Sequence, residues 1–309
     1  MKISLVMATY NGEEFLIEQL DSIRNQSREV DEVIICDDCS KDNTVSIIKK
    51  YIMDYELKNW NLLVNKQNLG YADNFHYAMT KATGDLIVFS DQDDIWLYDR
   101  IEKMEKCFIE NKNIKVLYSE FELFYTSKKV QKIDSPVLKA MKYDNTVERV
   151  NLSPSMIFIK TEGCTMMLRK DFFQEVNKYW FSGFAHDEFV WKMALCSDGL
   201  YVLHMVTLQR RIHSNNVSLN KLHDWNKRVT FLENLCNGHK AMFQYAKHCH
   251  IEDKKLKLIK DNIKSSDMRI HMIKDKKYIY IIPLIIRYAH CYYSIKSIPV
   301  EFFMAFRRK

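Results

Sequence analysis

Gly84-Asp85-Leu86-Ile87-Val88-Phe89-Ser90-Asp91-Gln92-Asp93-Asp94-Ile95-Trp96 is the stretch on which the fold turns. Its apolar middle opens after Gly-Asp and closes on acids, the pattern of a buried strand. Asp91, Asp93 and Asp94 are three carboxylates within four positions. They cannot all ionise in a dry site without a partner, because mutual repulsion raises at least one pKa. A hard divalent cation with oxygen ligands is the usual remedy. In an open α/β sheet, ligands bind at the carboxyl ends of strands. One reading is therefore a metal site and, through it, a diphosphate site. The other is a solvated acidic turn ahead of a helix that starts near Leu97.

Outward from this strand the pattern alternates. Strands are expected at 3–8, 32–36, 61–65 and 86–90, separated by helices at 13–25, around 45–55 and at 73–83. Repeated βαβ units mean an α/β fold with a doubly wound, mostly parallel sheet. A helix at 97–111 and a strand at 116–125 follow, and 126–150 reads as loop. Further on come a strand at 164–168, helices at 170–177 and 187–197, and strands at 200–204 and 207–212. From about Trp225 the pattern is helical, basic and aromatic. The expected division is a catalytic domain at 1–218, split into halves 1–105 and 106–218, and a helical C-terminal region at 219–309.

Composition narrows the class. A chain of 309 residues with 47% hydrophobic and 28% charged content is ordinary for a folded protein, and 7 Gly and 4 Pro argue against long flexible linkers. Cys36 and Cys39 form a CxxC, but no second CxxC or CxxH completes a zinc site. Buried reduced thiols in a cytoplasmic protein explain the cysteines better. Lys2-Ile3-Ser4 leads straight into a strand, so no signal peptide is expected, and no run approaches the ~20 apolar residues of a membrane span. The net charge of +6 is unevenly placed: residues 219–309 hold 19 Lys and Arg against 8 acids, whereas 1–218 hold 27 against 32.

Three strand ends carry polar clusters: Thr9-Tyr10-Asn11-Gly12-Glu13, Asp37-Asp38-Cys39-Ser40-Lys41-Asp42-Asn43-Thr44, and Asp91 to Asp94. Tyr10 can stack on a base, Asp38 can accept from an imide N–H or a ribose hydroxyl, and Asp93 can hold a metal. Singly these are common turn residues; at three successive sheet ends they are more specific.

The segments MATYNGEEFLIEQLDSIRNQS, EVIICDDCSKDNT, NLGYADNF and GDLIVFSDQDDIW resemble the inverting family 2 glycosyltransferases of the GT-A fold, over roughly residues 1–218. The resemblance implies that Thr9, Tyr10, Asn11, Glu13, Asp37 and Asp38 line a nucleotide-sugar site. It makes Asp91 and Asp93 the family's DxD, with Asp93 the direct ligand of Mg²⁺ or Mn²⁺. Asn68 and Gly70 match its NxG turn near the donor ribose and diphosphate. His186-Asp187 stands where the family places a Glu-Asp pair, which implies Asp187 as general base with Glu188 as alternate. Arg211-Ile212-His213-Ser214-Asn215-Asn216-Val217-Ser218 resembles the family's RxHxxNxS, so His213 could complete the metal shell or contact diphosphate; a loop histidine bonded to its neighbours is the alternative. Gly163, Cys164 and Thr165, with Trp96, are expected near the acceptor.

The wording is most similar to bacterial rhamnosyltransferases of surface-polysaccharide synthesis, which implies dTDP-L-rhamnose as donor, with UDP-hexoses as the alternative and a glycan or lipid-linked acceptor. A nucleotidyltransferase lacks support because Glu13-Glu14 stands where its basic glycine-rich loop would be. Gln209-Arg210-Arg211-Ile212 departs from the QxxRW of processive synthases, and a non-catalytic nucleotide-sugar-binding module would not need Asp91, Asp93 and Asp187 together. No groove-reading motif suggests nucleic acid. The basic, aromatic stretch from Lys276 to Tyr288, echoed at Phe302 to Lys309, is expected either to lie on anionic lipid at the inner face of the plasma membrane or to pack on the catalytic body or a second subunit as a homodimer.

Overall fold

The computed structural model describes residues 1–127, 132, 133, 135–213 and 224–307. The chain begins with β1 (Ile3–Thr9), α1 (Leu16–Arg24), β2 (Glu32–Asp37), α2 (Thr44–Asp54), β3 (Trp60–Val64), α3 (Tyr71–Lys81) and β4 (Leu86–Ser90). β1 and β4 are buried along nearly their whole length, as strands covered on both faces must be. α1 buries Leu16, Gln19, Leu20 and Ile23, the three-and-four spacing of one helical side. β5 (Ile95–Trp96), α4 (Arg100–Glu110), β6 (Val116–Tyr125), α5 (Pro136–Ala140), β7 (Val147–Arg149), β8 (Met166–Arg169), α6 (Lys170–Val176), α7 (His186–Cys196) and β9 (Leu200–Ile212) follow.

Among the described residues the sheet runs β3-β2-β1-β4-β8-β6-β9-β5, with β7 on β9. β1 lies between β2 and β4, parallel to both. The chain therefore reverses its direction of travel across the sheet there, which opens a crevice at the carboxyl ends of those strands. Beyond β4 the sheet is mixed: β8 is antiparallel to β4 and β6, while β9 is parallel to β6. The parallel part is β3-β2-β1-β4 with the β6–β9 pair, and the antiparallel strands β5, β7 and β8 are added to it. One sheet also spans both halves of the expected catalytic domain, because β8 sits between β4 and β6.

Other differences have local causes. The 126–150 segment contains α5, capped by Ser135 accepting from Val137 N at 3.1 Å, and the short β7. The expected strand at 164–168 begins with a 3₁₀ turn, Gly163–Thr165, before β8. The two expected strands at 200–204 and 207–212 are one strand, β9, whose break in pattern is absorbed by register shifts beside Glu120 of β6. Trp96 is 3% exposed, part of the core, with the Arg100 guanidinium 4.5 Å from its ring centroid. The pairing of β5 with β9 holds Trp96 in the core, so the ring itself is not an open surface.

Two compact units divide the chain: Met1–Val150 with Ile159–Ala194 and Asp198–Asn215, and Asn151–Phe158 with Leu195–Ser197 and Asn216–Lys309. The second contains α8 (Trp225–His248), α9 (Asp253–Lys274), α10 (Ile281–Ile286) and α11 (Ser297–Arg307). Asp224 caps α8, accepting from Lys227 N at 2.9 Å. Glu301 of α11 is fully buried between Arg228 and Arg269, whose Nε atoms lie 2.9 and 2.8 Å from its carboxylate. The expected boundary at 218/219 lies outside the described residues. All eight cysteines are free thiols; burial pushes Cys36 up to about 12, the chemistry of an inert core thiol.

Arg100 ties this core together. It is fully buried, donates to Thr207 Oγ1 at 2.6 Å and Cys164 O at 2.7 Å, and burial lowers it to about 10. Arg100→Met keeps the bulk but removes both bonds, and should cost about 2–4 kcal/mol in urea unfolding.

Candidate active site

The crevice is built from the three polar strand ends, and their side chains are largely committed to one another. Asp37, at the end of β2, is fully buried. It accepts from Thr9 Oγ1 at 2.9 Å, Ser40 N at 2.9 Å and Ser40 Oγ at 2.5 Å. Glu13 accepts from Asn43 N and Nδ2 at 2.9 and 2.8 Å. Asn11 takes a left-handed φ of 48° and bridges to the second loop, donating its N–H to Ser40 Oγ and accepting from Lys41 N. Thr9, Asn11, Glu13 and Asp37 thus brace the first two loops against each other. Tyr10 is left 47% exposed at the rim, a ring available for stacking.

Asp38 holds the next turn. Its Oδ1 accepts from Asn65 Nδ2 and Leu69 N at 2.9 and 2.8 Å, and its Oδ2 accepts from Gly70 N at 2.8 Å. Asn68 donates to Asp38 O at 3.2 Å. Gly70 has a φ of 83° and open space where a Cβ would stand, so glycine is needed for backbone conformation rather than for room. Asp38 Oδ2 keeps capacity for a further donor.

Gln92, the middle residue of the acidic motif, carries no sequence signal of a role. Its side-chain amide pairs with the Tyr10 backbone, accepting from N at 2.9 Å and donating to O at 3.2 Å. The acids around it divide. Asp93 Oδ2 lies 2.7 Å from His213 Nε2. Asp94 is buried, accepts from Arg211 N at 3.0 Å, and has Oδ2 without a hydrogen-bond partner. Ligand atoms of Asp91, Asp94 and Cys164 lie within 4.8 Å of one another. Burial first, then repulsion from Asp93, raises Asp94 to about 7; burial, then Asp94 and Asp93, raise Asp91 well above the usual range.

These residues fit a hard cation. Oxygen ligands with one imidazole suit Mg²⁺ or Mn²⁺, and an orphaned carboxylate oxygen among mutually repelling acids is where positive charge is missing. Cys164 does not belong to such a set: burial, then the charges of Asp94 and Asp91, pushes its thiol well above its ordinary value.

Two arginines of β9 also join the site: Arg211, which opens the RxHxxNxS segment, and Arg210, which the sequence marks only within a departure from QxxRW. Arg210 is ion-paired with Glu162 at 3.2 Å and interacts electrostatically with Asp91 and Asp94. Arg211 donates from Nε to Asp93 O at 2.7 Å and from Nη2 to Glu18 at 2.6 Å.

Asp187 and Glu188 open α7. Glu188 is ion-paired with the buried Lys192 at 3.0 Å. Asp187 is partly exposed as a residue, yet its carboxyl is enclosed enough that desolvation, with Glu188 and Glu162 nearby, raises it to about 7. His186 is buried, stacked on Phe75 at 3.8 Å, and burial lowers it to about 3, so it is a neutral ring. The 163–165 turn abuts this pair: a Cβ on Gly163 would lie 2.8 Å from His186 Nε2 and 3.2 Å from Asp187 Cβ. Gly163, Cys164 and Thr165 are themselves buried. Ser214 to Ser218 of the RxHxxNxS segment lie outside the described residues.

A sheet that reverses its order at β1, with an acid cluster and an enclosed carboxylate at its strand ends, is the architecture of an α/β enzyme whose ligand sits at that switch point. The family model "Glycosyl transferase family 2" matches residues 4–174, and the chain belongs to that family. It is 30% identical over 223 residues to the dTDP-rhamnosyl transferase RfbG of Shigella flexneri, covering 68% of this chain and 72% of the relative. Among solved structures, S. aureus TarS 1-349 in complex with UDP-GlcNAc matches with a TM-score of 0.66 at 19% identity, over 99% of this chain and 79% of that one. The mannosyltransferase PcManGT of Pyrobaculum calidifontis in complex with GDP-Man and Mn²⁺ matches with a TM-score of 0.58 at 13% identity, over 99% and 87%. The protein is a glycosyltransferase of the GT-A fold.

Gly163→Ala presses a methyl group on His186 and Asp187. With Asp187 in the role proposed below, a displacement of an ångström there costs about 10²-fold, so turnover should fall on that order. Donor binding by calorimetry should stay near wild type.

Proposed function

We propose that this chain is a metal-dependent, inverting transferase that moves a sugar from its nucleotide carrier to a hydroxyl of a glycan or lipid-linked acceptor in bacterial surface-polysaccharide synthesis. The observation that carries the reading is the contrast at the start of α7. Glu188 is neutralised by Lys192, whereas Asp187 is raised to about 7. A base titrating near working pH is what proton removal from an acceptor hydroxyl requires.

Asp93 and His213 would hold the ion, with Asp91 beside them. Bound Mg²⁺ or Mn²⁺ supplies charge neutralisation for the departing diphosphate. Tyr10 stacks on the base, and Asp38 accepts a hydrogen bond from the nucleoside. Asp187 takes the acceptor proton as the oxygen attacks the anomeric carbon from the face opposite the leaving group. One displacement inverts the centre and needs no covalent sugar–enzyme intermediate. The likeness to a dTDP-rhamnosyl transferase favours dTDP-L-rhamnose as donor; a UDP-hexose is the second reading, favoured by the fold-level likeness to a UDP-GlcNAc complex. A screen of nucleotide sugars for released nucleoside diphosphate separates the two.

Asp93→Ala should abolish metal-dependent donor binding and transfer while thermal unfolding stays close to wild type; near-normal turnover of this variant in chelator would sink the metal-dependent mechanism.

Asp187→Asn should lower kcat by ~10²–10⁴ with donor affinity kept. Because the base must be deprotonated, wild-type kcat/KM should rise with pH through about 7. Loss of activity in Glu188→Gln, with Asp187→Asn active, would move the role by one residue.

A further inference from the structure

The C-terminal unit carries an apolar surface that its own helices leave uncovered. Along the turn and helix from Tyr278 to Ile286, Leu284 is fully buried, whereas Ile279, Ile282 and Ile286 are exposed, Ile286 by 80%. Their spacing of three and four sets them along one side of a helical path. In α11, Phe303 and Phe306 are exposed, Phe306 by 60%, while Ala305 between them is buried. The two stretches adjoin: Tyr278 stacks on Phe306 with ring centroids 4.5 Å apart, and its hydroxyl donates to Ala305 O at 3.2 Å. Single exposed apolar side chains need no explanation, but a group of this size marks an interaction surface.

Basic residues flank the group along the chain. Lys276, Lys277, Arg287 and Lys296 lie in the same stretch, where Lys274 is already ion-paired with Glu233 at 2.8 Å, and the sequence runs on from Phe306 into Arg307, Arg308 and Lys309, the last two outside the described residues. The acids between 274 and 309 are Asp275 and Glu301. Glu301 is buried between its two arginines, and Asp275, at the surface and hydrogen-bonded to His271 at 2.5 Å, offsets one charge of the rim, which stays positive.

We propose that this surface seats on a lipid bilayer with anionic headgroups. Ile279, Ile282, Ile286, Phe303 and Phe306 enter the boundary between headgroups and acyl chains, and the lysines meet lipid phosphates. A second copy of this chain would bring two basic rims together, whereas a bilayer offers both an apolar layer and opposite charge. The mode is lying on the membrane: among the described residues, no helix is long and apolar enough to cross one. The proposal does not rest on the transfer reaction, since the binding it describes needs no donor.

Flotation of the full chain tests it, with vesicles of phosphatidylcholine alone and of phosphatidylcholine with phosphatidylglycerol. Two variants, Ile282→Ser/Ile286→Ser/Phe303→Ser and Lys276→Glu/Lys277→Glu, alter surface positions without touching the Arg228–Glu301–Arg269 cluster; circular dichroism verifies their fold. Wild type should float with the anionic vesicles and release in high salt, and each variant should bind at least ~10-fold more weakly. Absence of wild-type flotation, or equal flotation of wild type and both variants, overturns the proposal. So does an apolar variant that turns a dimer into a monomer by light scattering while floating unchanged, which would assign the surface to a second copy.

Discussion

Acids crowded at the end of β4 would repel one another apart if nothing answered them, and the second half of the sheet supplies the answer. β9 runs unbroken to Ile212 and delivers Arg210 and Arg211 to the acid cluster. The Arg211 main chain occupies one oxygen of Asp94, and its guanidinium takes the Asp93 carbonyl and Glu18 while lying 4.6 Å from the Phe15 ring centroid and 5.0 Å from that of Phe124. A planar, permanently charged group with several donors suits such a multiply bonded, half-dry position better than lysine would. The compensation is partial: Asp91 and Asp94 are still raised. A site fully neutralised by its own arginines would have little use for a cation.

The parts of this architecture legible in the sequence are those whose cause is local. The first four strands and three helices can be read because each buries a side of fixed period, and a buried parallel strand such as Leu86–Ser90 shows as an apolar run. Asp93 and Asp187 stand out because carboxylates there match a motif. What cannot be read depends on partners far along the chain. Nothing near Gln92 says that its amide will pair with Tyr10, nor does anything near Glu162 announce Arg210. Asp37 and Glu13 have the chemistry of ligand residues, but the geometry spends them on Thr9, Ser40 and Asn43. The continuity of β9 is hidden by a bulge, which interrupts side-chain alternation without ending a strand.

His186 occupies the position where the family resemblance places an acid. In the structure its ring stacks on Phe75 and meets Phe89 edge-on, inside a shell that keeps it neutral. A carboxylate in that shell would add a second negative charge beside Asp187 and push its pKa further up. Replacing the acid by an uncharged aromatic leaves the Asp187 carboxyl raised by burial, Glu188 and Glu162, against backbone hydrogen bonds that lower it.

The Gln92 amide has a thermodynamic consequence. Its two hydrogen bonds join the loop that presents Tyr10 to the strand end that presents Asp93. An event that orders one of these elements therefore orders the other, and the conformational entropy lost at the first is not lost again at the second. Linkage makes such coupling reciprocal: under the roles proposed for Tyr10 and Asp93, a nucleotide at the first would tighten the hold on an ion at the second by the same factor by which the ion would tighten the hold on the nucleotide. The middle letter of an acidic motif, commonly written as x, is here the pin between two loops.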